Sequence, residues 1–416
     1  MIYDLVIIGA GAAGLFAGAS LPSPVKGLII EKKELPGRKL LLSGSGQCNL
    51  THGGSIKNFI THYGKNGKQI RSILYRFSNQ SVTNFFESQG IPLIEREDGK
   101  IFPQSLQSQD VLNSLVNCCL NKGLEFQFST SVTSITFEKK DDSALYSVQC
   151  DSQKYLTKKL LITSGGCSYP ATGSDGNLFA ILEAMEIEVS PRKPALVPIH
   201  VEGYPYQSLS GISFQNTRVR VCNKSDANQT AELTGALLFT HNSFSGPATL
   251  NISRYAAAGD RLFINYVPDQ TASIMEQELL RLIQGNSKQL ITLLCEYFSR
   301  LELPRRFLEL ICERCNVDGT IKASQTAGAS IKAILRLMSN DTYIISGLGG
   351  YNVAMVTSGG VALSEVDLKT LESTRYPSMY FAGEVLDIDG DTGGYNLQFA
   401  FSSGNLAVLN AFQGIS

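Results

Sequence analysis

Four consecutive apolar residues, Leu5-Val-Ile-Ile8, open the chain and are followed at once by glycine. A strand buried on both faces of a parallel sheet needs such an unbroken run, whereas a strand with one wet face alternates. Next come Gly9-Ala-Gly11-Ala-Ala-Gly14, a short helical stretch, and a second apolar run, Leu28-Ile-Ile, ending on Glu31. The pattern predicts strand, glycine turn, helix, strand and acid in that order. Apolar residues at helical spacing predict further helices over about 66–89 (Ile70, Ile73, Leu74, Phe77), 108–122 and 176–186. Strand-like segments fall at 125–128, 132–138 and 145–150, and the run Leu160-Leu-Ile-Thr163 leads into Ser164-Gly165-Gly166. Residues 32–51 read as a long Gly/Ser-rich loop, uncommon in a compact domain unless it binds something.

From about 190 to 268 alternating, Thr/Val-rich text predicts antiparallel β structure. One short helix is expected to start at Ser245-Gly-Pro247, because proline is tolerated in a first turn. From about 270 to 339 the text is helical, with Met275, Leu279, Leu282 and Ile283 on one face and Pro304 opening a further helix. Gly-rich and strand-like segments return from about 341 and lead to Met379-Tyr-Phe-Ala-Gly383-Glu384. The expected organisation is an α/β cofactor domain in two pieces, 1–189 and 340–416. A β-rich substrate domain (190–268) and a helical subdomain (269–339) are inserted between them.

Size and charge narrow the class. A chain of 416 residues exceeds one ordinary core, so two or three packed units are expected. Hydrophobic and charged fractions of 43% and 18% are those of a soluble globular protein. A formal net charge of −1, with no basic stripe, does not build the electrostatic footprint of a nucleic-acid binder. No apolar stretch approaches the roughly twenty residues of a membrane span, and the amino terminus lacks a basic region and cleavage site of a signal peptide. Nine cysteines, an odd number scattered over the chain, argue against a disulfide framework. A cytoplasmic protein is expected, with no membrane or nucleic-acid partner.

The glycines carry the chemistry. Gly9 suits the tight turn, Gly11 lets backbone N–H groups approach a pyrophosphate, and Gly14 lets the helix pack close to the sheet. The diphosphate then sits on the positive end of the helix. Glu31, about twenty residues on, can accept hydrogen bonds from the ribose hydroxyls, which makes this a dinucleotide fingerprint rather than a lone glycine turn. Two further segments read as the rest of a flavin site. One is the chain turn at Ser164-Gly165-Gly166. The other is Gly383-Glu384, where the acid would meet a ribityl hydroxyl, followed by Gly393-Gly394 at the start of a last helix over about 396–409. Free N–H groups there would face the flavin C2 carbonyl and N1 and stabilise the charge of the reduced ring. No second GxGxxG with a following acid exists, so a dedicated NAD(P)H domain is not expected.

These residues resemble the bacterial BaiN/YhiN-like flavoproteins, also called aminoacetone-oxidase-like FAD-binding enzymes. The likeness runs through Pro36-Gly-Arg-Lys-Leu-Leu-Leu-Ser-Gly44, Gly165-Gly-Cys-Ser-Tyr-Pro-Ala-Thr-Gly173 and Leu238-Phe-Thr-His-Asn-Ser-Phe-Ser-Gly-Pro247. It continues in Val356-Thr-Ser-Gly-Gly-Val361, Phe381-Ala-Gly-Glu384 and Gly393-Gly-Tyr-Asn-Leu-Gln398. The resemblance implies a glutathione-reductase-like FAD-binding domain (parallel sheet, ββα sandwich) holding non-covalent FAD. By that likeness Gly9, Gly11, Ala12, Ala13, Gly14, Glu31, Lys32, Arg38, Lys39, Ser43, Gly44 and Asn49 would hold the AMP and pyrophosphate side. Val132 would meet the adenine through its backbone. Ser164, Gly165, Gly383, Glu384, Gly394, Asn396 and Leu397 would complete the set around ribityl chain and ring. Two departures stand out: the family usually has Arg where this chain has Gln47, and Trp where it has Phe399.

His241 is the substrate-side acid/base candidate, since an imidazole suits proton transfer near neutral pH; the plainer reading is a histidine satisfied inside the β domain. Tyr169 and Tyr395 are expected as flavin-face neighbours or as core aromatics. Cys48 and Cys167 lack the spacing of a flavin-linked dithiol. Cys312-Glu-Arg-Cys315 lies in helical text without a second pair, so no metal site is expected. The activity expected is hydride transfer between a small organic substrate, amine-type or alicyclic, and flavin N5, with O₂ or a transient NAD(P)H as second reactant. The alternatives are a regulator with structural FAD, or an RNA-modifying flavoprotein, against which the charge counts.

Overall fold

The computed structural model describes residues 1–413 except 141–142, 152, 225 and 227–229. Two compact units emerge: Met1–Ala195 with Tyr351–Ser416, and Leu196–Gly350. In the first, five parallel strands run in the order Met379–Phe381, Leu160–Ile162, Leu5–Ile8, Gly27–Ile30 and Leu124–Gln127, with two short antiparallel strands at one edge. Register is set at Leu160, which pairs with Val6 on one side and Met379 on the other. The amino- and carboxy-terminal pieces thus share one sheet. Leu5–Ile8 and Gly27–Ile30 are buried throughout, as unbroken apolar runs require. A second, four-stranded sheet holds Val132–Lys140, Ser143–Cys150, Lys154–Thr157 and Ile2–Tyr3.

Two helices pack over the parallel sheet: Ala12–Ala19, after the glycine turn, and the last helix, Tyr395–Ala411. Their approach is close, since a Cβ on Gly404 would lie 2.6 Å from the Ala13 carbonyl oxygen. Phe16 fixes the contact, its ring 4.7 Å from that of Phe401 and 4.6 Å from that of Phe85. Such aromatic pairs add about 0.5–1.5 kcal/mol each beyond area burial. The helical text at 66–89 resolves into Arg71–Arg76 and Asn79–Ser88. The stretch 32–51 is not all loop: Arg38–Leu42 forms a short helix because Leu40 finds a buried place.

The second unit is a closed barrel, ordered Ile199–Val201, Phe244–Ser245, Thr230–Phe239, Ser213–Cys222, Arg261–Asn265 and Asp341–Leu348. Helices Ala272–Ile283, Leu290–Tyr297, Arg305–Arg314 and Gly328–Ser339 lie between its fifth and sixth strands in sequence. Barrel and helices share one hydrophobic core. Here the architecture departs from the expected division at 340. Asp341–Leu348 belongs to the barrel because Tyr343 and Ile345 alternate inward while Thr342 and Ile344 face out.

Candidate functional site

The amino-terminal turn is built by close contacts. Thr163 Oγ1 donates to the Gly9 carbonyl at 2.9 Å, and a Cβ on Gly14 would lie 2.1 Å from that same oxygen. Gly11 differs: it is the N-cap of the first helix, and a Cβ there would meet nothing within 4 Å. Open space thus faces the free N–H groups of the helix start, the place a diphosphate needs. Glu31 is held on both oxygens, accepting from the Ala10 N–H (Oε2) and the Lys33 N–H (Oε1), each at 2.9 Å. Burial outweighs these bonds and raises its carboxyl above the usual range. Ser129 and Thr130 donate their N–H groups to the carbonyls of Lys33 and Glu31, which brings the chain leading into Val132 alongside the acid.

The basic residues are paired. Lys32 Nζ meets Asp175 Oδ2 at 2.5 Å, and Arg38 meets Glu34 at 3.6 Å. Lys39 reaches Glu384 Oε2 at 2.6 Å and also Ser168 Oγ. Glu384 Oε1 accepts from Ser168 Oγ at 2.7 Å and from the Thr357 N–H at 2.8 Å. Thr357 Oγ1 in turn accepts the N–H groups of Cys167 and Ser168. Lys39, expected on the pyrophosphate side, and Glu384, expected at the ribityl chain, therefore share one network. Partly exposed ion pairs are worth little, so a polyanionic cofactor can displace these partners cheaply. Gly383 lies against the first helix, where a Cβ would come 2.7 Å from Ala13 Cβ.

At the start of the last helix Gly394 has φ of 98°, and a Cβ would lie 2.5 Å from the Thr51 carbonyl oxygen. Asn49, with its amide oriented to satisfy both sides, donates to that carbonyl at 2.9 Å and accepts from the Gly394 N–H at 3.1 Å. The Asn396 side chain is committed to its own loop, bonding Gly390 and Asp391, while Leu397 is half-buried in the core. Tyr395 is buried in the core of the first unit, as the core-aromatic reading expects. The rings of His62 (4.0 Å, 14°) and His52 (5.3 Å, 15°) both stack near-parallel to it. His62 Nδ1 lies 2.9 Å from Asp391 Oδ2.

Of the other expected residues, Ser164 lies against Gly9 and Gly44 against Asn49. Ser43 bonds the Leu40 carbonyl at 2.6 Å, and Gly44 is exposed beside Phe102. Ser164 and Gly165 are half-buried in the turn after Thr163, and Tyr169 donates its N–H to the Tyr351 carbonyl. His241 belongs to the second unit and is exposed on the turn Thr240–Ser243, not satisfied inside the barrel. Burial pushes the Cys48 and Cys312 thiols up to about 12 and raises Cys167 as well, so none is primed as a thiolate. Where the family has Arg, Gln47 accepts from Arg96 at 2.7 Å, whose guanidinium lies 4.0 Å from the Phe102 ring centre.

Sequence reasoning missed Ser168, Thr357, Asp391, His52 and His62. The first two lay inside segments already singled out as family text. The histidines carry no local signal, since the partner of His62 is 329 residues away.

The comparisons with known proteins agree with this geometry. The family model for the HI0933-like protein Rossmann domain matches residues 3–410. A Haemophilus influenzae protein named ribosomal RNA dihydrouridine synthase is 32% identical over 97% of this chain and 97% of its own length. An Escherichia coli protein of the same name is 30% identical over 96% of each. A 3-dehydro-bile acid delta(4,6)-reductase of Clostridium scindens is 27% identical over 96% of this chain and 97% of that protein. No helix among the described residues is long and apolar enough to cross a membrane. Matched along nearly its whole length, and folded around the glycine turn that its sequence announced, the chain belongs to the HI0933-like Rossmann family and is an FAD-dependent oxidoreductase.

Proposed function

We propose that the protein reduces a carbon–carbon double bond conjugated to a carbonyl, using electrons from a transiently bound reduced nicotinamide dinucleotide. The uracil ring of an RNA uridine is the favoured substrate. One observation carries the reading: relatives with different substrates have names that describe the same reaction. Forming dihydrouridine saturates the C5=C6 bond conjugated to the C4 carbonyl, and a delta(4,6)-reductase saturates bonds in conjugation with a 3-ketone. A small alicyclic enone is the second reading, favoured by the formal charge of −1 and by the carboxylates that already pair Lys32, Arg38 and Lys39.

When bound, FAD supplies hydride chemistry at N5. In this reading Gly9, Gly11, Ala12, Ala13 and Gly14 receive the diphosphate, with Lys32, Arg38, Lys39, Ser43, Gly44 and Asn49 around it. Glu31 accepts from the ribose, and Val132 meets the adenine. Glu384, released from Lys39, accepts from the ribityl chain beside Ser164, Gly165 and Gly383. Gly394, Asn396 and Leu397 present backbone groups to the ring.

Anaerobic stopped-flow tests the reaction. NAD(P)H is expected to bleach the flavin, and a uridine-containing ribosomal RNA or a cyclic enone to restore its colour. Bleaching by an amine with recovery by O₂ alone would make the protein an oxidase and contradict the proposal.

A further inference from the structure

Saturating a double bond requires a proton as well as a hydride, and the molecule has only four histidines to offer. His200 and His241 belong to the barrel unit. His52 holds its Nδ1 against the Gly53 carbonyl at 2.9 Å, with its ring 5.3 Å from that of Tyr395. His62 is placed differently. Its Nδ1 faces Asp391 Oδ2 at 2.9 Å, and its carbonyl accepts the Asp391 N–H, also at 2.9 Å. Two bonds to one residue fix the backbone and the ring together. A carboxylate on Nδ1 selects the tautomer with hydrogen on that nitrogen and leaves Nε2 to exchange protons. The imidazole lies flat on Tyr395, the first residue of the last helix, directly after Gly394. About a third of the His62 side chain is exposed, 35%, which gives it access to solvent protons.

We propose that His62, oriented by Asp391 and Tyr395, hands the proton to the α carbon of the double bond during reduction. The inference rests on the double-bond reading of the function. Hydride adds to the β carbon, and the π pair shifts towards the carbonyl. The Nε2–H of the doubly protonated His62 ring then breaks, leaves its electron pair on nitrogen and forms the new C–H bond at the α carbon, which returns the ring to its Nδ1–H tautomer. The olefin gains two electrons, the reduced nicotinamide loses them, and neutral His62 recovers its proton from water. The titratable groups around His62 are Asp391, Tyr395, Tyr63, whose hydroxyl donates to the Tyr395 carbonyl at 2.8 Å, and His52, which also stacks on the tyrosine ring. Burial and Asp391 push the Tyr395 phenol up to about 12, which leaves the imidazole as the carrier. Asp391 and Tyr395 are positioning residues.

Two measurements test it. The first needs no turnover: ¹⁵N NMR of the histidine rings in the wild-type holoprotein at alkaline pH. It is expected to show His62 as the Nδ1–H tautomer, with that preference lost in Asp391→Asn. An Nε2–H tautomer in the wild type overturns the proposal. The second pre-reduces wild type, His62→Gln, Asp391→Asn and the barrel control His200→Gln, then mixes each with the RNA or the enone. Transfer is expected to slow about 100-fold or more in His62→Gln, and less in Asp391→Asn. The control should match wild type, and FAD titrations confirm that each variant is folded. A wild type that transfers while His62→Gln keeps pace overturns this inference alone. A wild type that transfers to neither substrate removes the functional reading and the inference together.

Discussion

A methyl group added at Gly11 enters open space, whereas one added at Gly14 meets the Gly9 carbonyl oxygen at 2.1 Å. The two alanine variants should therefore fail differently. Gly11→Ala is expected to fold, losing ~1 kcal/mol or less at the N-cap, yet to weaken FAD binding at least 100-fold because the methyl fills the diphosphate's place. Gly14→Ala is expected to lose about 2–3 kcal/mol by overpacking, whatever the cofactor. Thermal melts with and without FAD separate the two. Glu31 gives a pH dependence whose sign can be worked out. Burial raises its carboxyl, so its contribution to stability is present below the ordinary carboxyl range and fades as pH rises through the raised value. Cofactor binding runs the other way, because only the carboxylate accepts from both ribose hydroxyls. FAD affinity should fall on acidification before ordinary carboxylates titrate, and Glu31→Gln should flatten that profile. A fluorescence titration of FAD across the range measures both.

The elements of the barrel unit are pinned by one buried carboxylate. Asp341, on the last barrel strand, accepts from Tyr206, Tyr266, Tyr343 and Arg314 at 2.5–3.0 Å. Arg314 comes from the helix Arg305–Arg314, so the pair ties the helical insertion to the sheet that resumes after it. Removing one partner leaves the other charge uncompensated, and Arg314→Ala or Asp341→Asn should cost about 3–5 kcal/mol. Denaturant unfolding followed by tyrosine fluorescence checks it. The same strand marks how far elements were legible in the sequence. Leu5–Ile8, Ser108–Asn121 and Tyr395–Ala411 stood out because apolar period or glycine punctuation is local. The assignment of Asp341–Leu348 to the barrel did not, since Tyr343 and Ile345 pair with residues about eighty positions earlier or more. Its alternation was readable; its partner was not.

At the scale of the whole molecule, the parallel sheet of the first unit is assembled from the two ends of the chain, with Leu160–Ile162 as the bridging strand. That assembly carries Gly383 to Ala13 and Gly394 to Thr51. Sequence pattern alone could nominate each glycine segment, because each has a local steric reason. It could not supply His62 beside Asp391 or Lys39 beside Glu384, because those meetings depend on the folded sheet. The central claim is that both ends of the chain hold one FAD. Hydrogen exchange followed by mass spectrometry, with and without FAD, tests it most directly. Binding is expected to slow exchange in the stretch Gly9–Leu15 and, at the same FAD concentrations, in Gly393–Leu397. Protection confined to one of these stretches, or absent from both while FAD is bound, would contradict it.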